Sequence, residues 1–281
     1  MIEMVSKDAI MNRVRPTLEQ AILRGLCWFS SNRAVMPLDQ DLYRTKIFSG
    51  LLRGMYFSMP RLERAAFALG TYERHIVNTI ARYVQPGAVA YDIGANSGYL
   101  SLVMAKRAGT RGQVFAFEPD PLNLKALEAN IQNNLCSNLT PVPKAVSDHS
   151  GTVTFAGFDY SLVGHIAHAD TPDDARLFQV QSTRLDDFVF VEQHPKPNFI
   201  KIDVEGAEEH VFRGAVRVLE EAQPVILAEI RGGETWQAIV ALMQTYNYTV
   251  ELLSGGWQME KDGLGDVLFI PAGVAHRSLQ P

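Results

Sequence analysis

Cysteine is scarce: Cys27 and Cys136 are the two in 281 residues. Two thiols cannot build the disulfide framework of a small secreted domain, and they read as buried small hydrophobes in a reducing compartment. Positive charge is also short. Lysine and arginine number 26 against 31 aspartates and glutamates, a net charge of -5. Such a chain offers a phosphate-rich polymer little long-range attraction, so no nucleic-acid partner is expected. No apolar run approaches the roughly 20 residues of a membrane span. Met1-Ile2-Glu3-Met4 brings an acid early, and no signal-peptide core follows it. Internal repeats and low-complexity tracts are missing too. What remains is 47% hydrophobic and 20% charged, an ordinary globular composition. The expectation is a cytoplasmic enzyme.

One stretch stands out in what is present. Tyr91-Asp92-Ile93-Gly94-Ala95-Asn96-Ser97-Gly98-Tyr99 follows the apolar Ala88-Val89-Ala90 and precedes a run that is apolar at helical spacing. It reads as buried strand, glycine turn and helix. Gly94 and Gly98 can take positive φ and leave the backbone bare to a ligand. The free N–H groups of the helix start face the same place. The order Gly94-x-Asn96-x-Gly98 is not the dinucleotide G-x-G-x-x-G, and Asp92 precedes it. An acid there repels a pyrophosphate and attracts an ammonium. S-adenosylmethionine has an ammonium, a sulfonium and no phosphate, so the loop favours it. A purely structural glycine turn is the alternative.

Downstream, Gln113 to Phe117 is a second buried strand, and Glu118-Pro119 ends it. Glu118 lies 20 residues after Gly98, where a carboxylate can accept both hydroxyls of an adenosine ribose. Leu139 to Val146 is a third strand, placed near an edge by Pro141 and Pro143. An adenine can rest against its end, at Ala145 and Val146. Gly151 to Phe155 and Phe178 to Ser182 alternate like paired strands. Between them His165, His168, Asp170, Asp173 and Asp174 mark a polar insertion, suited to acceptor recognition or to nothing beyond a loop. Their spacing matches no familiar metal set, and no metal is expected.

Phe199-Ile200-Lys201-Ile202 delivers Asp203 and Glu205 to the same sheet edge as Asp92 and Glu118. Acids gathered there are costly unless something cationic or hydrogen-bonding meets them. A fifth strand carries Glu229. The segments around Tyr248–Leu253 and Asp266–Ile270 bracket Gly255-Gly256 and can pair only antiparallel. Before the glycine loop, Thr71-Tyr72-Glu73 opens a helix through Ile76, Val77 and Ile80. Thr71 and Glu73 suit helix capping, or a place beside the cofactor. Residues 1–70 read as mostly helical, with Thr17 as one cap. They are expected to form a cap over the site, with Tyr43, Phe48, Tyr56 and Phe57, or simply to pack on the sheet.

These residues together resemble the FkbM family of class I S-adenosylmethionine-dependent methyltransferases. The resemblance is carried by Thr71-Tyr72-Glu73, Asp92 to Tyr99, Phe117-Glu118-Pro119, Ala145-Val146-Ser147-Asp148, Thr183-Arg184-Leu185-Asp186-Asp187 and Ile200 to Glu208. It covers about residues 71–272. It implies an α/β, Rossmann-like sheet, mostly parallel, of seven strands with the last antiparallel. An N-terminal helical extension over 1–70 and a small β insertion over about 151–183 are expected beside a catalytic domain of 71–281. It also implies a cofactor site at Thr71, Tyr72, Glu73, Asp92, Gly94, Asn96, Ser97, Gly98, Tyr99, Glu118, Pro119, Ala145, Val146 and Asp203.

The reaction implied is methyl transfer to a hydroxyl on a sugar, glycan or natural product. Asp203, Glu205 and His165 are the candidate bases, unless Asp203 instead orients the cofactor's amino group. Three other readings stay open: Mg²⁺-assisted transfer on acids of the fourth and fifth strands, a non-catalytic cofactor-binding module, and a nicotinamide-linked dehydrogenase.

Overall fold

The computed structural model describes residues 35–38, 42–60, 65–157, 164–167, 171, 175–253 and 264–274. Strands β1 (Val35–Pro37), β2 (Tyr43–Lys46) and β3 (Tyr56–Met59) form an antiparallel three-stranded sheet. This corrects the helical extension expected for residues 1–70, as far as those residues are described. Gly50 and Gly54, at φ +75 and +91, sit in the turn that returns β2 to β3. The helix expected after Thr17 lies outside the described residues.

Helix α1 (Ala65–Leu69) leads to α2 (Arg74–Tyr83). Here the capping expectation fails. The helix starts at Arg74, and its N-cap is Glu73, left-handed at φ 40 and ψ 50, with no side-chain cap bond. Then come β4 (Val89–Ile93), α3 (Tyr99–Ala108), β5 (Gln113–Phe117), α4 (Pro121–Asn133) and β6 (Leu139–Val142). Asp120 caps α4 by accepting the Leu122 and Asn123 N–H groups at 2.8 and 3.3 Å. The third strand ends at Val142, before Pro143. Its continuation β7 (Ala145–Val146) leaves for a second sheet with β8 (Gly151–Gly157), β9 (His165–Ile166) and β10 (Arg176–Thr183), ordered β7-β10-β8-β9. The expected pairing of 151–155 with 178–182 is present, Phe155 standing opposite Phe178.

The chain continues through α5 (Leu185–Phe190), β11 (Phe199–Ile202), α6 (Glu208–Arg213), α7 (Val216–Glu221), β12 (Val225–Arg231), α8 (Gly233–Thr245), β13 (Tyr248–Leu252) and β14 (Leu264–Pro271). A short break separates α6 from α7. The break falls at Gly214, where a Cβ would lie 2.1 Å from the Ser147 carbonyl oxygen. Asp186 then caps α7 from α5, accepting the Arg217 and Val218 N–H groups at 3.1 and 2.9 Å.

The main sheet has seven strands, ordered β13-β14-β12-β11-β4-β5-β6. Strand β14 is antiparallel to both neighbours, and every other pairing is parallel. This is the Rossmann-like class I methyltransferase sheet that the resemblance implies. Alternate residues feed two cores: Ala90, Val114, Ala116 and Leu227 on the face of α2 and α3, Tyr91, Phe115, Phe117 and Ile226 on the other. The order reverses at β4, so the C-terminal ends of β4, β5 and β11 open a crevice. Among the described residues no helix is long and apolar enough to cross a membrane.

Candidate active site

The crevice begins at the glycine loop. Gly94 takes φ +77, and a Cβ on it would lie 1.8 Å from the Asp203 carbonyl oxygen. The ends of β4 and β11 therefore touch only because this residue lacks a side chain. The Gly94 and Ala95 N–H groups are spent on the Phe117 carbonyl, at 3.1 and 2.9 Å. Asn96 is left-handed at φ 54. Its Oδ1 accepts the Ser97 N–H at 2.6 Å. Gly98, at φ +84, starts α3.

Glu118 ties the loop to β5. Its Oε2 accepts the Asn96 N–H at 2.7 Å, and its Oε1 accepts the Asp120 N–H at 2.8 Å. It is 5% exposed. Burial pushes its carboxyl up to about 7, with the two backbone N–H groups pulling the other way. Glu118 lines a cleft of about 380 Å³, counted with its open mouth. Gly94, Pro119, Ala145, Val146 and Asp203 line it too. So six of the expected site residues converge on one cleft. Phe155, Gly164 and Ile166 of the insertion sheet form its opposite wall.

Asp92 was expected to meet a ligand ammonium. The structure places it inside instead, 0% exposed, where Oδ2 accepts the Ser101 hydroxyl. Its cation belongs to the chain: Lys201 Nζ lies 3.7 Å from Asp92 Oδ1. The same ammonium donates to the Gly94 carbonyl at 3.2 Å and to Asp203 Oδ2 at 3.3 Å. Burial disfavours the Lys201 charge, but Asp203, Asp92 and Glu73 outweigh it and hold Lys201 protonated above its ordinary range. Asp203 is the more open of the two aspartates, with its side chain 29% exposed and facing the cleft.

Beyond Asp203 the acids accumulate. Oxygens of Asp203, Glu205 and Glu229 lie within 4.8 Å of one another. Arg231 Nη2 bridges Glu205 and Glu229, 2.6 Å from each. Asp266, opposite Glu229 in the β12–β14 pair, bonds His75 at 2.8 Å. Glu229 is pushed up to about 8, by burial first and then by Asp203. Glu205 holds a left-handed turn at φ 58, strain of the kind that collects at functional sites. Neither Lys201 nor Arg231 stands out in the sequence as a site residue. A lysine in the middle of an otherwise apolar strand is the signal that was there to find.

Thr71-Tyr72-Glu73 packs on this region from the turn that leads into α2. Burial raises the Glu73 carboxyl, while a hydrogen bond from Tyr72 and the charge of Lys201 oppose it. Tyr72 meets Tyr99 edge-on at 5.4 Å. The Tyr99 hydroxyl is pushed up to about 12, by burial and then by Glu73. Among the described residues, the buried Thr71 Oγ1 has no hydrogen-bond partner.

His165 is not on the cleft wall. Its neighbours Gly164 and Ile166 are, and strand alternation turns His165 to the other face, where its Nε2 meets Thr171 Oγ1 at 3.3 Å. The structure thus separates it from Asp203 and Glu205. His168, Asp170, Asp173 and Asp174 lie outside the described residues.

Comparison with known proteins gives concordant findings. Residues 92–250 match the family described as methyltransferase FkbM domain. The hexuronic acid methyltransferase AglP of Haloferax volcanii is 26% identical over 180 residues, 64% of this chain and 71% of that protein. The 31-O-demethyl-FK506 methyltransferase FkbM of Streptomyces tacrolimicus is 26% identical over 219 residues, 67% of this chain and 81% of that protein. Among solved structures, methyltransferase FkbM from Methylobacillus flagellatus KT superposes with a TM-score of 0.45 at 19% identity. That match covers 65% of this chain and 43% of the other.

Proposed function

This chain belongs to the FkbM methyltransferase family, and from that premise we propose that it uses S-adenosylmethionine to methylate a hydroxyl on a small, sugar-containing acceptor. The observation that carries the reading is the pairing of Glu118 and Asp203 on one cleft. They supply an acceptor for a ribose diol at one end and a counter-charge for an ammonium at the other.

The residues fit the cofactor. Glu118 keeps acceptor capacity beyond its two backbone N–H bonds. Gly94 leaves the loop bare, and Pro119, Val146 and Ile166 give an adenine apolar surfaces. Six carboxylates, Glu73, Asp92, Asp203, Glu205, Glu229 and Asp266, stand around two permanent cations, Lys201 and Arg231. A cationic ligand relieves that imbalance, and a phosphate worsens it. When bound, S-adenosylmethionine supplies a methyl group already activated on a sulfonium.

The chain's own part is alignment and proton handling. Asp203, fixed by Lys201, orients the ammonium. Glu205 and Glu229, fixed by Arg231, take the hydroxyl proton; a carboxyl near 8 is matched to that task at neutral pH. Hydroxyls suit this acid-rich wall as hydrogen-bond donors; the related AglP is named for a sugar acid, which supports a sugar acceptor but not a charged one, since this wall repels a second carboxylate. Residues 71–281 form the catalytic unit, with 1–70 as an extension to it.

The test has two stages. Calorimetry should show S-adenosylmethionine binding. A labelled-methyl screen over sugars, glycosides and oligonucleotides should then place label in a neutral glycoside. Label in an oligonucleotide, or no cofactor binding, would overturn the reading. A Mg²⁺-assisted variant is favoured by the convergence of Asp203, Glu205 and Glu229. It requires Arg231 to leave two of those acids, and loss of turnover in EDTA would identify it.

A further inference from the structure

Helix α4 closes with Asn130, Asn133 and the cap residue Asn134. Asparagine is a poor helix former because its side chain competes for backbone hydrogen bonds. Three of them at i, i+3 and i+4 share one face. That face meets β3. Asn134 accepts the Tyr56 N–H at 2.8 Å and donates to the Tyr56 carbonyl at 2.7 Å. Asn130 does the same for Ser58, accepting its N–H at 2.5 Å and donating to its carbonyl at 2.8 Å.

Each makes one bond more: Asn134 Nδ2 donates within its own helix, to the Asn130 carbonyl at 2.8 Å, whereas Asn130 reaches out of the helix. Its Nδ2 also donates to the Ser97 carbonyl, at 2.7 Å, in the glycine loop. Both amide hydrogens are thus used in a side chain that is 0% exposed. The Ser97 carbonyl and the Gly98 N–H belong to one planar peptide and point opposite ways. Gly98 N–H is held by the Ala95 carbonyl at 2.9 Å. The peptide that begins α3 is therefore clamped on both edges, one clamp internal to the loop and the other Asn130. Aromatic packing repeats the connection: Phe57 of β3 meets Tyr99 edge-on at 5.3 Å, and Phe67 of α1 lies 5.1 Å from the same ring.

We propose that Asn130 is a positioning residue that couples the β1–β3 meander to the glycine loop, so that the meander braces the cofactor site. The proposal rests on the cofactor reading above. Coupling of this kind is reciprocal: ordering the meander raises cofactor affinity, and cofactor binding stabilises the meander by the same factor. Asn134 provides the control, since it grips the same strand with the same two bonds and does not reach the loop.

The experiment uses the full chain and S-adenosylmethionine, with affinity from calorimetry and stability from thermal unfolding. Asn130→Ala should weaken binding by about tenfold, and Asn134→Ala by no more than about threefold. Wild-type affinity in Asn130→Ala, or equal losses in both variants, overturns the coupling. Hydrogen exchange on the unmodified protein decides the matter if Asn130→Ala fails to fold. Cofactor should slow exchange at residues 56–59 as well as 94–99; protection confined to 94–99 overturns the proposal. A wild-type protein that binds no S-adenosylmethionine overturns the cofactor reading instead, and the coupling falls with it.

Discussion

Glu118 and Glu229 end neighbouring regions of one sheet edge, yet their surroundings are opposite. Glu118 is met by backbone: two N–H groups, from Asn96 and Asp120, point at its two oxygens. Glu229 is met by side chains: Arg231 pairs with it, while Asp203, Glu205 and Asp266 press on it with like charge. The first environment is built into the chain path and changes only if the loop moves. The second is a balance of charges and changes whenever one of them titrates or a cation arrives. Recognition of a nucleoside fits the rigid, backbone-held half, and proton transfer fits the half set by opposing charges.

The comparison breaks most completely at Gly94, where the two halves touch. Gly94→Ala places a methyl group against the Asp203 carbonyl at a positive φ. The expected outcome is failure to fold or a loss on the order of 5 kcal/mol, read from denaturant unfolding. A stable Gly94→Ala protein would show that β4 and β11 can separate freely.

Next in size is Lys201, the cation shared by both halves. Lys201→Met leaves Asp92 buried beside no counter-charge, which costs about 3–5 kcal/mol. Adding Asp92→Asn should recover part of that loss. Arg231→Met should cost less, because Arg231 is 30% exposed and its two acids, 20% and 22% exposed, are less deeply buried than Asp92. Equal losses for Lys201→Met and Arg231→Met would erase the distinction between a buried network and a solvated one.

The Glu118 carboxyl gives a pH test of the rigid half. Its value rises from the ordinary 4.5 to about 7 on folding. Between those values the folded protein keeps a proton that the unfolded chain has lost. Stability therefore falls as pH rises through this window, by about 3 kcal/mol at most. Glu118→Gln should remove that share of the fall and leave the share that Glu229 contributes over the same window, measured by denaturant unfolding at pH 5 and pH 8. Cofactor affinity should move the other way in the wild-type protein, rising toward pH 8 as the carboxylate forms to accept the ribose hydroxyls. Affinity that is flat with pH would disconnect Glu118 from the ribose.

How far the sequence reveals these features depends on how local they are. Residues 89–108 read correctly because an apolar run, two glycines and a helical period lie side by side. Glu118 and Asp203 read as strand ends for the same reason, and Glu229 reads as carried by the fifth strand, where it lies two residues before the end of β12. The β1–β3 meander did not, since its strands have three or four residues each and find partners across turns that carry no alternation. Asp92 looked like a ligand's partner because Lys201, its partner in fact, is distant in the chain. The asparagines of α4 carried a signal in their poor helix propensity, but the strand they serve lies more than 70 residues away.

The smallest effect is expected at His165, which tests whether the acidic half needs help from the insertion. A histidine in a polar insertion is an obvious general base from sequence, and its ordinary pKa suits the role. Geometry argues against it. Gly164 and Ile166 face the cleft, so the residue between them faces away, and its ring nitrogen is engaged with Thr171. For His165 to take a proton in the cleft, β9 would have to slip by one residue against β8, exposing Ile166 and breaking its register with Phe155. His165→Ala should therefore change kcat by less than about twofold, since general-base loss ordinarily costs about 10²–10⁴-fold. Glu229→Gln, measured on the same acceptor, should fall in that larger range. The opposite ranking, with His165→Ala the slower enzyme and its cofactor affinity intact, would move proton transfer out of the acidic cluster and into the insertion.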